Sequence, residues 1–232
     1  LVAADPGRRV RERSASFGRG LAYGTGDVGH FLNLRASNMS AFPDRPRHFE
    51  QWLARNALDL PPEMASGIRV TPAGTFASRA LYGRYLSEIL TEPVTGSGPP
   101  GLQLVNDAVI DLAPGPGGFS LRTEGGLRLP VAGAVLAMGN LAGTGEPHSR
   151  HRADLWSPET IGRLQPELPV LIVGTWLTMI DAGVRLRRQG FAGPIVALSR
   201  RGLLPYPHEL TGALAVPEST PGDHDSGTAR NP

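Results

Sequence analysis

The stretch from Pro169 to Gly190, PVLIVGTWLTMIDAGVRLRRQG, constrains the fold more than any other part of the chain. Its first apolar run predicts a buried strand over residues 170–173, and the periodic pattern after it predicts an amphipathic helix over residues 177–189. The run PIVAL at 194–198 predicts a second strand. Strand, helix and strand in this order predict a right-handed parallel βαβ unit, from which dinucleotide-binding domains are built.

The turn between the first strand and the helix departs from the dinucleotide-binding fingerprint. Gly174, Thr175 and Leu177 form the turn, but Trp176 stands where a second glycine lets the backbone approach the pyrophosphate. Met179 replaces the third glycine or alanine. One hypothesis, which the need for close approach favours, is that the indole weakens or abolishes nucleotide binding. The alternative is that the indole stacks on a nicotinamide or flavin ring.

Composition excludes several kinds of chemistry. The 232 residues include no cysteine and no lysine, which rules out disulfides, thiolate nucleophiles, P-loop lysines and Schiff bases. A formal charge of +2 creates no strong field for nucleic acid, and no apolar run approaches the ~18 residues of a membrane span. We therefore expect a cytoplasmic protein that acts on a small-molecule substrate, without a nucleic acid or membrane partner.

The N-terminal half alternates short elements with glycine-rich turns. The first 25 residues predict a helix end, a D-P-G turn, a strand over residues 9–12 and a glycine loop. Apolar periodicity predicts amphipathic helices over residues 48–58 and 78–90, and Ser78 stands at the start of the second. We expect both helices to be packing elements.

The middle of the chain changes to a β pattern. Residues 102–138 alternate or run apolar, and Glu124-Gly125-Gly126 interrupts them in the manner of a hairpin. Residues 142–168 are rich in Gly, Pro, His and Arg and predict a connection between lobes. The polar residues after Tyr206 predict a disordered tail.

Glu12 is the first candidate for cofactor binding. It closes the predicted strand over residues 9–12, and Gly18-Arg19-Gly20 follows six residues later. In a Rossmann half, an acid at the end of the second strand accepts hydrogen bonds from ribose hydroxyls. By spacing alone, a solvated glutamate among arginines is the commoner explanation of so short a pattern.

Six segments carry a family resemblance when they are taken together. In chain order they are FGRGLAYGTGD, HFLNLRASNMSAFPDRPRHFEQWL, SRALYGRYL, AVLAMGN, VGTWLTM and ALSRRG. They resemble a bacterial family of FAD/NAD(P)-binding oxidoreductases, flavoproteins with two dinucleotide-binding domains that are related to flavin-dependent N-hydroxylases and monooxygenases. The resemblance covers roughly residues 1–208.

The resemblance implies an α/β, Rossmann-like fold with an FAD lobe, a β-hairpin insert and part of an NADP-binding βαβ lobe. It divides the chain into an FAD-binding part over residues 1–147, a connector over 148–168, a βαβ unit over 169–208 and a tail over 209–232. The family opens with a strand, a GxGxxG turn and a helix. We expect this chain to begin inside that first helix and to be truncated at both ends.

The resemblance also implies roles for individual residues. Glu12 would hold the adenosine ribose of FAD, the loop from Gly18 to Gly20 would follow the cofactor, and main-chain groups at Val109 would contact adenine. Gly139 and Asn140 end the second FAD-associated strand motif, with methionine where the family tends to have threonine. Three further residues are expected near the flavin, with an Asx turn and a core methionine as equally good explanations: Asn33, Met39 and Ser40.

Ser199-Arg200-Arg201 follows the second strand of the βαβ unit, where NAD enzymes carry an acid. Arginines at this place would pair with the 2′-phosphate of NADP. An exposed basic turn explains the residues equally well in an arginine-rich chain, and the resemblance favours NADP over NAD.

These patterns predict an FAD- and NADP-dependent, monooxygenase-like oxidoreductase in which NADPH reduces the flavin. No catalytic residue is assigned, because the cofactors carry the chemistry. The histidines, including the H-x-x-H at His148 and His151, lack the companion acids of a metal site. A flavin disulfide reductase is disfavoured by the absence of cysteine. The main rival is a cofactor-free binding module or remnant of the same fold.

Overall fold

The computed structural model describes residues 2–4, 9–12, 16–95, 103–138 and 162–208. Its first sheet has the order β5-β2-β1-β9, formed by Gln103–Asn106 (β5), Arg9–Glu12 (β2), Val2–Ala4 (β1) and Gly133–Val135 (β9). Strands β2 and β5 run parallel, whereas β1 is antiparallel to both of its neighbours. The prediction of a strand over residues 9–12 is confirmed.

The prediction of a helix end at the start of the chain is wrong. Val2–Ala4 forms strand β1, with Val2 paired to Val10 on one side and to Val135 on the other. A three-residue apolar run has no periodicity that separates a helix end from a strand. Here the pairing with strands on both sides decides the conformation, and no local pattern reveals those partners.

The helical part of the molecule buries an aromatic core. It comprises α1 (Gly20–Tyr23), a 3₁₀ turn (Ala36–Asn38), α2 (His48–Asn56), α3 (Pro62–Ala65), the antiparallel hairpin of β3 (Ile68–Thr71) and β4 (Gly74–Ala77), and α4 (Arg79–Thr95). The two predicted helices are confirmed as α2 and α4. Their apolar faces meet in a core whose largest members are Phe49, Trp52, Leu53, Leu81, Tyr82 and Tyr85.

Ser78 joins the hairpin to helix α4. Its hydroxyl accepts a hydrogen bond from the amide of Leu81 at 3.2 Å, which caps the helix. Its own amide donates to the carbonyl oxygen of Gly67, and the next residue, Arg79, donates to that of His30. The start of α4 is therefore hydrogen-bonded to the segment around residue 30.

Three antiparallel strands form a separate meander: β6 (Val109–Gly115), β7 (Gly118–Thr123) and β8 (Arg128–Val131). The predicted hairpin break lies between β7 and β8, where Gly126 has a φ of 83°. The amide of Gly126 donates to the carbonyl of Thr123. The predicted β region is confirmed. Its two long apolar runs, at 102–112 and 127–138, each contribute to two strands.

The predicted βαβ unit is confirmed. Strands β10 (Val170–Val173) and β11 (Ile195–Leu198) pair in parallel, and α5 (Leu177–Arg188) connects them. Leu186 of the helix is fully buried against Phe191 and partly buried strand residues. Gly190 ends the helix with a φ of 86°, a conformation that favours glycine.

The described residues therefore form a mixed α/β structure with several small sheets. Within them, no helix combines the length and apolar character that crossing a membrane requires. Gly139, Asn140, most of the predicted connector and the predicted disordered tail lie outside the described residues.

Candidate functional site

The carboxyl ends of β10 and β11 are held together by a small polar network. The amide of Gly174 donates to the carbonyl of Leu198 at 2.7 Å. Thr175 Oγ1 lies 2.9 Å from Ser199 Oγ, and it also donates to the carbonyl of Leu203. Ser199 Oγ accepts a hydrogen bond from the amide of Gly202 at 3.0 Å. Thr175 and Ser199 thus fix the two loops that border the predicted nucleotide site.

Helix α5 presents free amide groups at this edge. The amides of Met179 and Ile180 donate back to the carbonyl of Trp176, but those of Leu177 and Thr178 have no acceptor within the described part of the chain. Gly174 has a φ of 109°, and a Cβ at this position would have no atom within 4 Å. An open glycine turn before a helix N-terminus fits the diphosphate group of NAD(P).

Trp176 stands at the N-cap of α5 in an extended conformation, and its side chain is 65 % exposed. Its φ of −93° is ordinary for any residue, so the turn accepts tryptophan without backbone strain. An indole this exposed contributes little to packing. The blocking and stacking hypotheses both remain predictions for this side chain.

Arg200 and Arg201 are exposed directly after β11. Among the residues that the structure describes, neither guanidinium has an acidic partner within ion-pair distance. Two uncompensated arginines beside the N-terminus of α5 are suited to hold a phosphate group. Their assignment to the 2′-phosphate of NADP stays a prediction.

The predicted FAD residues lie at the edge of the first sheet and beside α4. The parallel register pairs Glu12 with Asn106 at the carboxyl ends of β2 and β5, where a Rossmann acid is expected. Gly18 has a φ of 81°, and a Cβ there would lie 3.3 Å from the carbonyl oxygen of Leu86. The strand register agrees with the expected position of the ribose-binding acid, and the contact of Glu12 with FAD stays a prediction.

The glycine loop from Gly18 to Gly20 leads into α1 and is hydrogen-bonded to α4. Arg19 Nε donates to Ser87 Oγ at 3.0 Å, and Ser87 Oγ in turn lies 3.1 Å from the carbonyl oxygen of Phe17. Gly20, with a φ of 54°, begins α1. The described hydrogen bond of Arg19 is therefore structural, and its contact with a cofactor stays a prediction.

The three residues expected near the flavin have different surroundings. Met39 packs against the aromatic core, which agrees with the alternative explanation that it is a core methionine. Ser40 closes a local turn, since its hydroxyl lies 2.6 Å from the carbonyl oxygen of Arg45. Asn33 is exposed at a large cavity, and its carbonyl accepts a hydrogen bond from His208 Nε2 at 2.8 Å. Val109 begins β6.

This cavity, of about 870 Å³, is a feature that no motif predicted. Its walls come from the segment before the 3₁₀ turn, the β3–β4 hairpin, helix α5 and the segment from Pro205 to His208. Its volume lies in the range of about 300–1,000 Å³ that is typical of small-molecule sites. Because four distant segments form it, no spacing in the sequence could reveal it. Its ring-bearing and charged lining residues are Phe31, Phe76, Tyr206, His208, Arg69, Asp181 and Arg188.

Polar contacts attach α5 to the segment around residue 30, beside this cavity. Asp181 Oδ2 lies 3.1 Å from His30 Nε2 and 3.7 Å from a guanidinium nitrogen of Arg79. About two turns further along the helix, a guanidinium nitrogen of Arg188 lies 3.5 Å from Asp27 Oδ1. In the described ranges no group of three His, Asp or Glu side chains is placed to hold a metal ion.

A parallel βαβ unit with a glycine turn and free amides at its carboxyl edge is the arrangement from which dinucleotide-binding domains are built. A family profile described as FAD-NAD(P)-binding matches residues 9–141, which is more than half of the chain. The chain belongs to this FAD-NAD(P)-binding family, and its cofactors are FAD and NAD(P). No curated protein matches the chain significantly. Membership indicates a flavin-dependent oxidoreductase.

Proposed function

We propose that this protein is an FAD- and NADP-dependent oxidoreductase of the monooxygenase-like type, with two dinucleotide-binding lobes. The family match over residues 9–141 carries this proposal, and the βαβ unit over residues 169–208 supplies the second nucleotide site. When bound, the reduced nicotinamide supplies a hydride and the flavin accepts it. The relation to flavin-dependent N-hydroxylases, and a location in the cytoplasm, belong to the same proposal.

The residues of the chain bind and orient these groups. Glu12 at the end of β2 accepts hydrogen bonds from the FAD ribose, and Val109 offers main-chain groups to adenine. The free amides of Leu177 and Thr178 hold the diphosphate of the nicotinamide nucleotide. Two arginines without acidic partners in the described chain, Arg200 and Arg201, select NADP by its 2′-phosphate.

The NADP preference is tested on the 232-residue chain supplemented with FAD. We expect NADPH to bleach the flavin absorbance faster than NADH at equal concentration. Arg200→Ala/Arg201→Ala should lower NADP affinity about tenfold or more, since hydrogen bonds to charged groups contribute about 1.5–3 kcal/mol. NAD affinity should be unchanged.

The matched control replaces two arginines that lie outside this edge, Arg55 at the end of α2 and Arg128 on β8, both exposed. Arg55→Ala/Arg128→Ala should leave the ratio of the two affinities unchanged. Equal affinities for NADP and NAD in the unmodified chain would contradict the nucleotide assignment. A chain that binds neither flavin nor nucleotide would favour the cofactor-free module instead.

A further inference from the structure

The β3–β4 hairpin forms one wall of the large cavity, and its register determines which side chains share that wall. Arg69 on β3 pairs with Phe76 on β4, and Thr71 pairs with Gly74 two residues further on. Cross-strand partners and residues two apart lie on the same face of a hairpin. Arg69, Thr71 and Phe76 all line the cavity, which agrees with this register.

Arg69 is the cation on this wall of the cavity. Its guanidinium carbon lies 4.9 Å from the centre of the Phe31 ring, a cation–π geometry. Within the described ranges it forms no ion pair. The ring of Phe31 orients the guanidinium plane but leaves its N–H donors available to an anion from the cavity.

The other charged groups of the cavity are already engaged with protein partners. Asp181 contacts His30 and Arg79, so its negative charge is compensated by protein groups. Arg188 contacts Asp27 at 3.5 Å. His208 Nε2 donates to the carbonyl of Asn33. Arg69, an exposed residue, is therefore the charged lining group that has no acidic partner within the described residues, and it is available to an anionic ligand.

Apolar side chains form a large part of the remaining lining, beside the polar Asn33, Ser66 and Thr71. Ile180 and Val184 on α5 face the cavity from one side, and Phe31 and Phe76 contribute rings from the other. Phe76 also lies beside the His208 ring, with 4.9 Å between ring centres. A ligand that fits these walls has an aromatic or aliphatic body and one anionic end.

We infer that this cavity binds a small organic carboxylate, with its carboxylate on Arg69 and its apolar body between Phe31, Phe76 and the exposed face of α5. This inference rests on the proposed function, because it names the substrate class of that oxidoreductase. The same site would discriminate against neutral analogues, since they leave the guanidinium without its anion.

The test measures binding of carboxylates to the 232-residue chain by ligand-observed NMR titration, without NADPH. Phenylacetate, benzoate and hexanoate are the probes, and phenylacetamide is the neutral analogue. We expect saturable binding of at least one acid and at least tenfold weaker binding of the amide. If none of the three acids binds saturably, the inference is overturned.

Two variants probe the cavity from opposite walls. Arg69→Gln removes the cation, and Ile180→Asp places a carboxylate at a half-exposed position of α5. Each should weaken binding of the acid about tenfold or more. Arg128→Gln, an exposed strand arginine outside the cavity, is the matched control and should leave binding unchanged. Equal binding in Arg69→Gln and Arg128→Gln would contradict the assignment.

A pyrophosphate of the nucleotide is an alternative anion for Arg69, and ADP distinguishes it. ADP carries a pyrophosphate without a nicotinamide ring. We expect phenylacetate to stay bound in the presence of saturating ADP, whereas displacement would assign Arg69 to the nucleotide and overturn the inference. Flavin reduction by NADPH is measured separately, so failure of the carboxylate site leaves the proposed oxidoreductase standing. Carboxylate binding in a chain whose flavin NADPH does not reduce would overturn the assignment of the carboxylate as its substrate.

Discussion

Local backbone geometry explains why some positions of this protein hold a particular residue, whereas at other positions the fold does not determine the residue. Position 174 favours glycine because its φ of 109° lies in the left-handed range. The dinucleotide-binding fingerprint also has glycine at this position. Trp176 breaks the same pattern, but its extended backbone and exposed side chain show that the fold does not require an indole. A residue that the fold does not require is well suited to mutational analysis of binding.

Trp176→Gly should strengthen NADP binding if the indole occupies the pyrophosphate position, because glycine lets the backbone approach the phosphates. The indole is 65 % exposed, so the free energy of unfolding should change by no more than about 1 kcal/mol, chiefly through the entropy of the unfolded chain. Calorimetric titration with NADP measures the first effect and chemical denaturation the second. Weaker binding and slower flavin reduction in the variant would show that the indole stacks on the cofactor.

Tyr82 provides a prediction about alkaline pH. Burial in the aromatic core, with smaller contributions from Tyr23 and Tyr85, raises the pKa of Tyr82 from 10.0 to about 12. The unfolded chain therefore loses this proton before the folded chain does. The stabilisation is fully present below about pH 10 and is lost as the pH rises towards about 12.

Chemical denaturation at several pH values from 9 upward tests this prediction. The free energy of unfolding should fall between about pH 10 and 12 in the unmodified chain. Tyr82→Phe removes the titrating group and keeps the ring in the core, so its stability should fall less steeply over the same interval. Identical slopes in the two proteins would show that Tyr82 does not titrate as described.

Helix α5 and its two strands are the element that the sequence predicted best. Strand, turn and helix each have a strong local pattern, and the parallel pairing follows from their order. The predictions failed where the deciding partner lies far along the chain. Strand β1 pairs on one side with the distant β9, where Val2 lies opposite Val135, and the cavity depends on four segments that only the tertiary structure brings together. Arg69 has no motif around it, so its role could not be predicted.

The buried side of α5 should carry most of the stability of the βαβ unit. Leu186 is fully buried, whereas Val184 is 46 % exposed on the cavity side. Leu186→Ala should destabilise this unit by about 2–4 kcal/mol, through lost burial and the cavity left behind. Val184→Ala, the control, should change stability by about 0.5 kcal/mol or less. Amide hydrogen exchange in β10 and β11 measures the stability of this unit in each variant. Equal destabilisation by the two substitutions would contradict the assignment of Leu186 to the buried side of α5.

At the scale of the whole molecule, ionic contacts couple the helical core to the βαβ unit. Asp181 is the central group, because it contacts both His30 and Arg79, and Arg79 begins α4. The side chains of Asp181 and Arg79 are 23 % and 21 % exposed, so this contact lies between a surface pair and a buried pair. A coupling of about 1–2 kcal/mol is expected for such a contact.

Asp181→Asn removes the negative charge and leaves Arg79 uncompensated, so α5 should detach from the core more often while the core itself stays folded. Amides in α5 and β10 should then exchange about tenfold faster, while those in the middle of α4 keep their rates. Glu63→Gln is the control, since Glu63 is an exposed acid of α3 that has no ion pair within the described residues. If the amide exchange rates of α4 and α5 rise by the same factor, Asp181 stabilises the molecule as a single unit. The proposal of two coupled units would then be wrong.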